Sequence, residues 1–259
     1  MQQLIERRKR GSTRRTGIEL DLVIPAFNEE RRIAATLQAI GKKVEESGLA
    51  VRILVVDNGS VDATAEIAAD SHDQRVPVEV ISCRTRGKGA AVRAGVLRSS
   101  APFVGYCDAD LSTPPSAVTS GVDLLRSGWE VVIGSRRCTG AGYALPQSGL
   151  RRLGSYAFRR MAADLSGPIT DTQCGFKLFH APVAKGLFNE CRTNGFAFDI
   201  EVLAMAKERN HSMIELPIQW TDSPESTFRP LADGIQSFRE LLRLRQDLAS
   251  RSHHPAAWR

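Results

Sequence analysis

Apolar and polar positions along this 259-residue chain follow two alternating periods. Leu20 to Ile24 is a short apolar run stopped by Pro25, and after it Ile33, Leu37 and Ile40 share one helical face, which predicts a strand and then a helix. Val51 to Val56 is a second near-continuous apolar run; it ends in Asp57-Asn58-Gly59-Ser60 and leads to a predicted helix over Ala63 to Ala69. Val78 to Ser82 reads as a third strand, Lys88 to Leu97 as an alanine-rich helix and Pro102 to Cys107 as a fourth strand. Pro114-Pro115 opens a helix through Leu125, and Trp129 to Ile133 makes a fifth strand ending at Gly134-Ser135-Arg136. Strands that are apolar on both sides and separated by helices belong in a parallel sheet covered on both faces, so the expected class is α/β with a single, mostly parallel sheet.

The regular pattern then breaks. Residues 137 to 149 carry glycines and a proline and read as a loop, followed by a helix from about Leu150 to Leu165. Two strand-like runs remain, Gly175 to Phe179 and Met213 to Trp220, with a helix from Phe198 to Arg209 between them. Near the end, Leu231, Ile235, Phe238, Leu242 and Leu244 are expected near one side of a helix flanked by arginines. Such a helix either lies on a bilayer interface or, more commonly, packs on its own domain. No internal repeat is visible, and the organisation expected is a basic tail over 1–17, one domain over 18–230 and an amphipathic basic helix and tail over 231–259.

Composition narrows the class. With 42% hydrophobic and 25% charged residues the chain can bury a full core. Its apolar runs are far shorter than the roughly 20 residues of a membrane helix, and no signal-peptide pattern opens it, so the expected location is cytoplasmic, at most peripheral on the inner face of a membrane. The five cysteines lack C-x-x-C or Cys/His spacing, which argues against a disulfide framework or a zinc site. The net charge of +6 concentrates at the ends, in Arg7, Arg8, Lys9, Arg10, Arg14 and Arg15 and in Arg239, Arg243, Arg245 and Arg251. That suits an anionic partner, a membrane surface, a phosphorylated substrate or nucleic acid, between which charge alone does not choose, or else a solvated tail.

Candidate chemistry collects at the strand ends. Asp108-Ala109-Asp110 places two carboxylates one residue apart where the fourth strand stops, a setting that holds Mg²⁺ or Mn²⁺ bridged to substrate phosphates, although D-x-D is also a common polar turn. Ends at Pro25, Asp57, Asp108 and Gly134 face one sheet edge, where open α/β sheets bind ligands. Asp57-Asn58-Gly59-Ser60 can hydrogen-bond a base or ribose, with Gly59 allowing close approach. Arg86-Gly87-Lys88-Gly89 puts two cations at a helix N-terminus, favourable for phosphate. Neither G-x-x-x-x-G-K-[ST] nor G-x-G-x-x-G is present, which speaks against an ATPase or a dehydrogenase.

Taken in order, these strings resemble family 2 glycosyltransferases of the GT-A fold, in the branch that transfers a sugar to a polyprenyl or dolichyl phosphate. The matching strings are Val23-Ile24-Pro25-Ala26-Phe27-Asn28-Glu29-Glu30, Val55-Val56-Asp57-Asn58-Gly59-Ser60, Arg86-Gly87-Lys88-Gly89-Ala90-Ala91, Asp108-Ala109-Asp110-Leu111, Gly134-Ser135-Arg136, Asp171-Thr172-Gln173-Cys174-Gly175-Phe176-Lys177 and Phe198-Asp199-Ile200-Glu201. The resemblance implies a Rossmann-like nucleotide-binding half and an acceptor-binding half. It implies nucleotide contacts from Pro25, Asn28, Glu29, Asp57 and Gly59, a metal on Asp108 and Asp110, and phosphate clamps in Lys88 and Arg136. Its partners would be a nucleoside-diphosphate sugar and a polyprenyl phosphate, with an anionic membrane surface nearby and no nucleic acid.

An acceptor that is already a phosphate needs no strong general base, whereas a hydroxyl acceptor would call on Asp171, Asp199 or Glu201. Two positions depart from the mannosyl-transferring pattern: Ser112 stands where a glutamine is frequent, and Ser226-Thr227 with Arg229 stands where a serine-lysine pair is frequent. The D-A-D-L-S-T run and Trp220-Thr221 look more like the glucosyl-transferring branch. Competing readings are the same donor chemistry on a soluble small-molecule acceptor, a nucleotidyltransferase, and a non-catalytic nucleotide-sugar- or nucleic-acid-binding module.

Overall fold

The first strand, β1 (Leu20–Ala26), is buried on both faces, as a central strand of a covered parallel sheet must be. It pairs in parallel with β2 (Val51–Asp57) and with β4 (Phe103–Cys107), while β3 (Val78–Ser82) adds to β2. The computed structural model describes residues 17–71, 76–143, 165–220 and 238–246. Its main sheet has seven strands in the order β3-β2-β1-β4-β7-β5-β8, with β5 at Val131–Ser135, β7 at Phe176–His180 and β8 at Met213–Pro217. Only β7 runs antiparallel to its neighbours, so β1 to β5 and β8 all point their carboxyl ends at one edge, and β7 begins there. A two-stranded parallel ladder of β6 (Gly142–Tyr143) and β9 (Gln219–Trp220) lies outside this sheet.

Strand periodicity divides the core into two layers. Leu20, Leu22 and Ile24 of β1 face α1 (Ile33–Ser47) and α4 (Ser116–Arg126), and α2 (Thr64–Asp70) adds Ala68 to the same layer. Val23 faces the opposite layer, built on α3 (Lys88–Arg98), α5 (Ala181–Glu190) and α6 (Phe198–Glu208). Gly95 of α3 lies so close to Val23 and Val56 that a Cβ would overlap them, which brings α3 hard against the sheet. At the edge away from the strand ends, buried Asp21 accepts hydrogen bonds from Arg52, the Ser99 hydroxyl and the N–H groups of Ser100 and Ala101. Burial pushes its carboxyl up, but these donors outweigh burial and hold it below the ordinary range.

The structure corrects the sequence reading in several places. β1 does not stop before Pro25; it continues to Ala26, with Pro25 in register opposite Val56 at the strand's end. The apolar run Met213 to Trp220 is two strands in two ladders, because the chain changes partner after Pro217. Helix α5 was not anticipated, although Pro182 in its first turn is a standard helix-start signal. In the helical stretch 238–246, Phe238 and Leu244 pack in the cluster around Ile200 as expected, but Leu241 takes the buried place expected of Leu242, which is 50% exposed. The basic tail over 1–16, nearly all of the helix expected over 150–165, Ser226-Thr227, Arg229, Leu231 and Ile235 lie outside the described residues. Among the described residues no helix is long and apolar enough to cross a membrane.

Candidate active site

Loops that follow parallel strands must be stitched together if their side chains are to hold one geometry, and three of them are. Asn28, in the left-handed region at φ 56°, donates its backbone N–H to Ser60 Oγ (3.0 Å) and accepts the Val61 N–H on Oδ1 (3.0 Å). The Glu29 N–H donates to Thr64 Oγ1 at 2.7 Å. These bonds tie the loop after β1 to the loop after β2, where Gly59 takes φ 81° and Asp57 Oδ1 accepts the Ser60 N–H. Asn58 reaches further: its Nδ2 donates to the Cys83 and Thr85 carbonyls, and its Oδ1 accepts the Gly87 N–H at 2.8 Å. The turn that presents Lys88 is thereby fixed to the end of β2.

At the end of β4, Asp108 Oδ1 pairs with Lys88 Nζ at 2.5 Å. Its carboxylate packs on the backbone of Gly175, where any Cβ would collide with it. Thr36 of α1 donates to the Ala109 carbonyl at 2.7 Å, and Asp110 Oδ1 accepts the Ser112 N–H at 3.0 Å. Burial pushes the Asp110 carboxyl above the ordinary range, and the charge of Asp108 adds to the push. Glu29 is raised chiefly by burial, with contributions from Asp110 and Asp108, although Arg32 pairs with it at 2.5 Å. Lys88 keeps its proton firmly: burial would lower it, but Asp108, Asp199 and Asp110 together raise it.

Of the three neighbouring carboxylates, Glu29 and Asp110 are raised chiefly by burial and then by the like charges beside them, so a further cation would be welcome there. Among the described residues no group of three or more His, Cys, Asp or Glu side chains forms a metal cage. That donor set fits Mg²⁺ or Mn²⁺, which take one or two protein carboxylates and complete their shell with phosphate and water.

Across β7, the fork of Arg136 grips Asp171 through Nε to Oδ2 (2.6 Å) and a terminal nitrogen to Oδ1 (2.7 Å), and the Arg136 backbone N–H adds a third bond. Burial alone would raise Asp171, but Arg136 outweighs it and, with help from Lys177, holds the carboxyl below its ordinary range. The Arg136 guanidinium also lies over the Trp220 ring, 4.8 Å from its centroid.

Asp199 behaves differently from the other candidates. It is buried, paired with Lys177 Nζ at 2.5 Å and hydrogen-bonded by the Tyr106 hydroxyl, while Lys177 also donates to the Cys174 carbonyl. Glu201 is likewise turned inward, accepting the N–H groups of Arg192 and Thr193 and the Cys191 thiol. Pro25, Asn28, Glu29, Asp57, Gly59, Lys88, Asp108, Asp110, Arg136 and Asp171 thus share the sheet edge, whereas Asp199 supports it from below. Lys177 and Tyr106 were not singled out in the sequence. The available signal was a lysine inside the apolar run Phe176-Lys177-Leu178-Phe179, which requires a buried acid as partner.

Comparison with known proteins adds an independent line. Residues 21–188 match the family model "Glycosyl transferase family 2". The chain is 30% identical over 243 residues to a dolichyl-phosphate beta-glucosyltransferase of Dictyostelium discoideum, covering 88% of this chain and 74% of that protein. It is 31% identical over 248 residues to a protein of the same name from Saccharomyces cerevisiae, with the same two coverages. In fold it is similar to glucosyl-3-phosphoglycerate synthase from Mycobacterium tuberculosis, solved with Mn²⁺, uridine diphosphate and phosphoglyceric acid, with a TM-score of 0.67 at 22% identity over 88% of this chain and 78% of that one. The single mostly parallel sheet is thus the GT-A fold. Its strand-end chemistry and the family match over most of the chain agree, and the chain belongs to glycosyl transferase family 2.

Proposed function

We propose that this glycosyltransferase moves glucose from UDP-glucose to the phosphate of a polyprenyl or dolichyl phosphate, with inversion at the anomeric carbon and with Mg²⁺ or Mn²⁺ on Asp108 and Asp110. The observation that carries the donor half is the carboxylate pair at the end of β4 with Lys88 already seated beside it. The acceptor half is supported by the names of the relatives that align with 88% of the chain. A divalent cation at Asp108 and Asp110 would supply charge stabilisation for the departing nucleoside diphosphate. Lys88 adds a positive charge next to it from the first residue of α3, on a turn that Asn58 ties to the end of β2 through the Gly87 N–H, so little reorganisation accompanies bond breaking. Asp57, Asn28 and Gly59 form the stitched loops that receive the nucleoside, with Pro25 and Glu29 at their base.

A phosphate acceptor attacks without first losing a proton, so positioning and electrostatics supply most of the rate. Asp171 and Asp199 then serve as positioning groups: Asp171 orients Arg136, and Asp199 anchors Lys177 and Tyr106 beneath the site. The first test incubates the full-length protein with labelled UDP-glucose, Mn²⁺ and a polyprenyl phosphate. Organic-soluble glucosyl phosphate and an equal amount of UDP are expected. Release of pyrophosphate would identify a nucleotidyltransferase, and transfer only to a water-soluble hydroxyl would identify a soluble acceptor.

A further inference from the structure

A cavity walled in part by cationic side chains lies next to Lys88. With a volume of about 510 Å³, it opens between the Arg86–Gly89 turn, the 192–196 loop and the helical stretch 238–246. Its walls include Arg86, Lys88, Arg192 and Arg243, opposed by Glu201 and Glu240. Both acids already accept hydrogen bonds from the protein: Glu201 from the Arg192 and Thr193 N–H groups and the Cys191 thiol, and Glu240 from the Ala197 N–H at 3.2 Å. Lys88 is paired with Asp108. The guanidinium groups of Arg86, Arg192 and Arg243, by contrast, have no ion-pair or hydrogen-bond partner among the described residues. Three arginines whose guanidinium groups have no partner among the described residues, set around one concavity, form a donor array suited to a planar or tetrahedral oxyanion.

The cavity is built and not incidental. Gly87 and Gly89 approach the backbone of Asn194 and Thr193 so closely that a Cβ at either would collide, and the Asn194 carbonyl accepts the Ala90 N–H. Arg93 donates to the Cys191 carbonyl (2.8 Å) and to Asn194 Oδ1 (3.0 Å), and Glu240 fills the space against Gly195. None of Asn28, Asp57, Asp108 or Asp110 lines it, so the cavity is separate from the carboxylate pair and shares only Lys88 with it. Anything bound there sits next to the charge that holds the donor diphosphate.

We infer that this cavity binds the phosphate monoester of the acceptor, with Arg192 and Arg243 as its principal ligands. The inference rests on the reading that the acceptor is a phosphate and names where that phosphate goes. Its volume exceeds what one phosphate fills and leaves room for the first carbons of an attached alcohol.

The test uses full-length Arg192→Gln, Arg243→Gln and the double variant, with a ten-carbon prenyl phosphate and glycerol 3-phosphate as alternative acceptors. Each single change is expected to raise the acceptor KM about tenfold, the size of one lost charge-assisted bond, while calorimetric affinity for UDP stays within about twofold. A wild-type acceptor KM in the double variant, or a parallel loss of UDP affinity, overturns the assignment. Preference for the prenyl phosphate identifies a lipid source and equal use of glycerol 3-phosphate a soluble one; the arginine dependence supports the cavity in both cases. Should the wild-type protein use neither acceptor, the proposed polyprenyl reading fails by itself. The cavity is then judged by calorimetric titration of the UDP-bound protein with inorganic phosphate. Heat of binding abolished in the double variant sustains the cavity assignment, and equal or no binding in both proteins refutes it.

Discussion

Two lysine–aspartate pairs, each closed at 2.5 Å, flank the start of β7 and do different work. Lys88 and Asp108 keep 18% and 25% of their side chains accessible at the sheet edge, whereas Lys177 and Asp199 keep 0% and 4%. In the half-buried pair at the edge each partner can exchange the other for an incoming ligand, because water and nearby charges offset the cost of separation. In the buried pair separation would strand a charge in apolar surroundings among Tyr106, Phe198 and Phe188, so the bond is permanent. The same chemical contact is a ligand-binding device at the edge and a lock one layer down. What distinguishes them is depth, not sequence.

The sharpest break in this comparison is predicted at the edge. Asp110→Asn should reduce turnover with UDP-glucose by about a thousandfold under saturating Mn²⁺, since charge aimed at the developing diphosphate is lost. The fold should not suffer. A carboxyl raised in the folded state holds its proton where the unfolded chain has released it, so it lowers stability as pH rises through the window between the unfolded and folded values. The metal-free Asn variant should therefore melt no lower than wild type at neutral pH; near-normal turnover or a large drop in melting temperature would contradict the assignment.

Next in size is the lock. Lys177→Met leaves Asp199 buried and unpaired, at a cost of about 3–5 kcal/mol in urea denaturation, and adding Asp199→Leu should recover much of it. Equal stability of Lys177→Met and wild type would show that the pair is dispensable. Lys88→Met should behave in the opposite sense, lowering kcat/KM by roughly tenfold to a hundredfold at a nearly unchanged denaturation midpoint. Smallest is Tyr106→Phe, which removes one donor to Asp199 and should cost about 1–2 kcal/mol of stability with kcat close to wild type. A larger effect on kcat than on stability would place Tyr106 in catalysis.

The first half of the molecule was legible because local signals and global structure agree there. Val51–Val56 and Val78–Ser82 were bounded to within a residue of the observed strands: β2 is a largely buried, near-continuous apolar run, and β3, a half-buried edge strand, is rich in the β-branched residues Val78, Val80 and Ile81. Beyond β5 the correspondence weakens. An antiparallel β7 inserted between β4 and β5 has no signature in its own five residues, and the change of ladder at Pro217 looks like a continuous apolar run. The edge residues were likewise readable, because Asp108, Asp110 and Arg136 are polar groups just past strand ends and Lys88 opens the helix after β3 in a Gly-Lys-Gly turn. Lys177 and Tyr106 were hidden inside apolar runs, and Asp199 looked like a helix-start charge of the kind common on surfaces.

By itself the sequence determined the α/β class, the polar strand ends that define the sheet edge and the family to which the chain belongs, since each depends on residue type and spacing along the chain. Only the tertiary structure decided that Asp171 holds Arg136, that Asp199 is locked beneath the site, and that Arg86, Arg192 and Arg243, separated by more than a hundred residues at their furthest, ring one cavity. These are properties of burial and of partners brought together across the sheet. A carboxylate or guanidinium carries the same chemistry in any sequence, and its function follows from the dielectric and the charges that the fold sets around it.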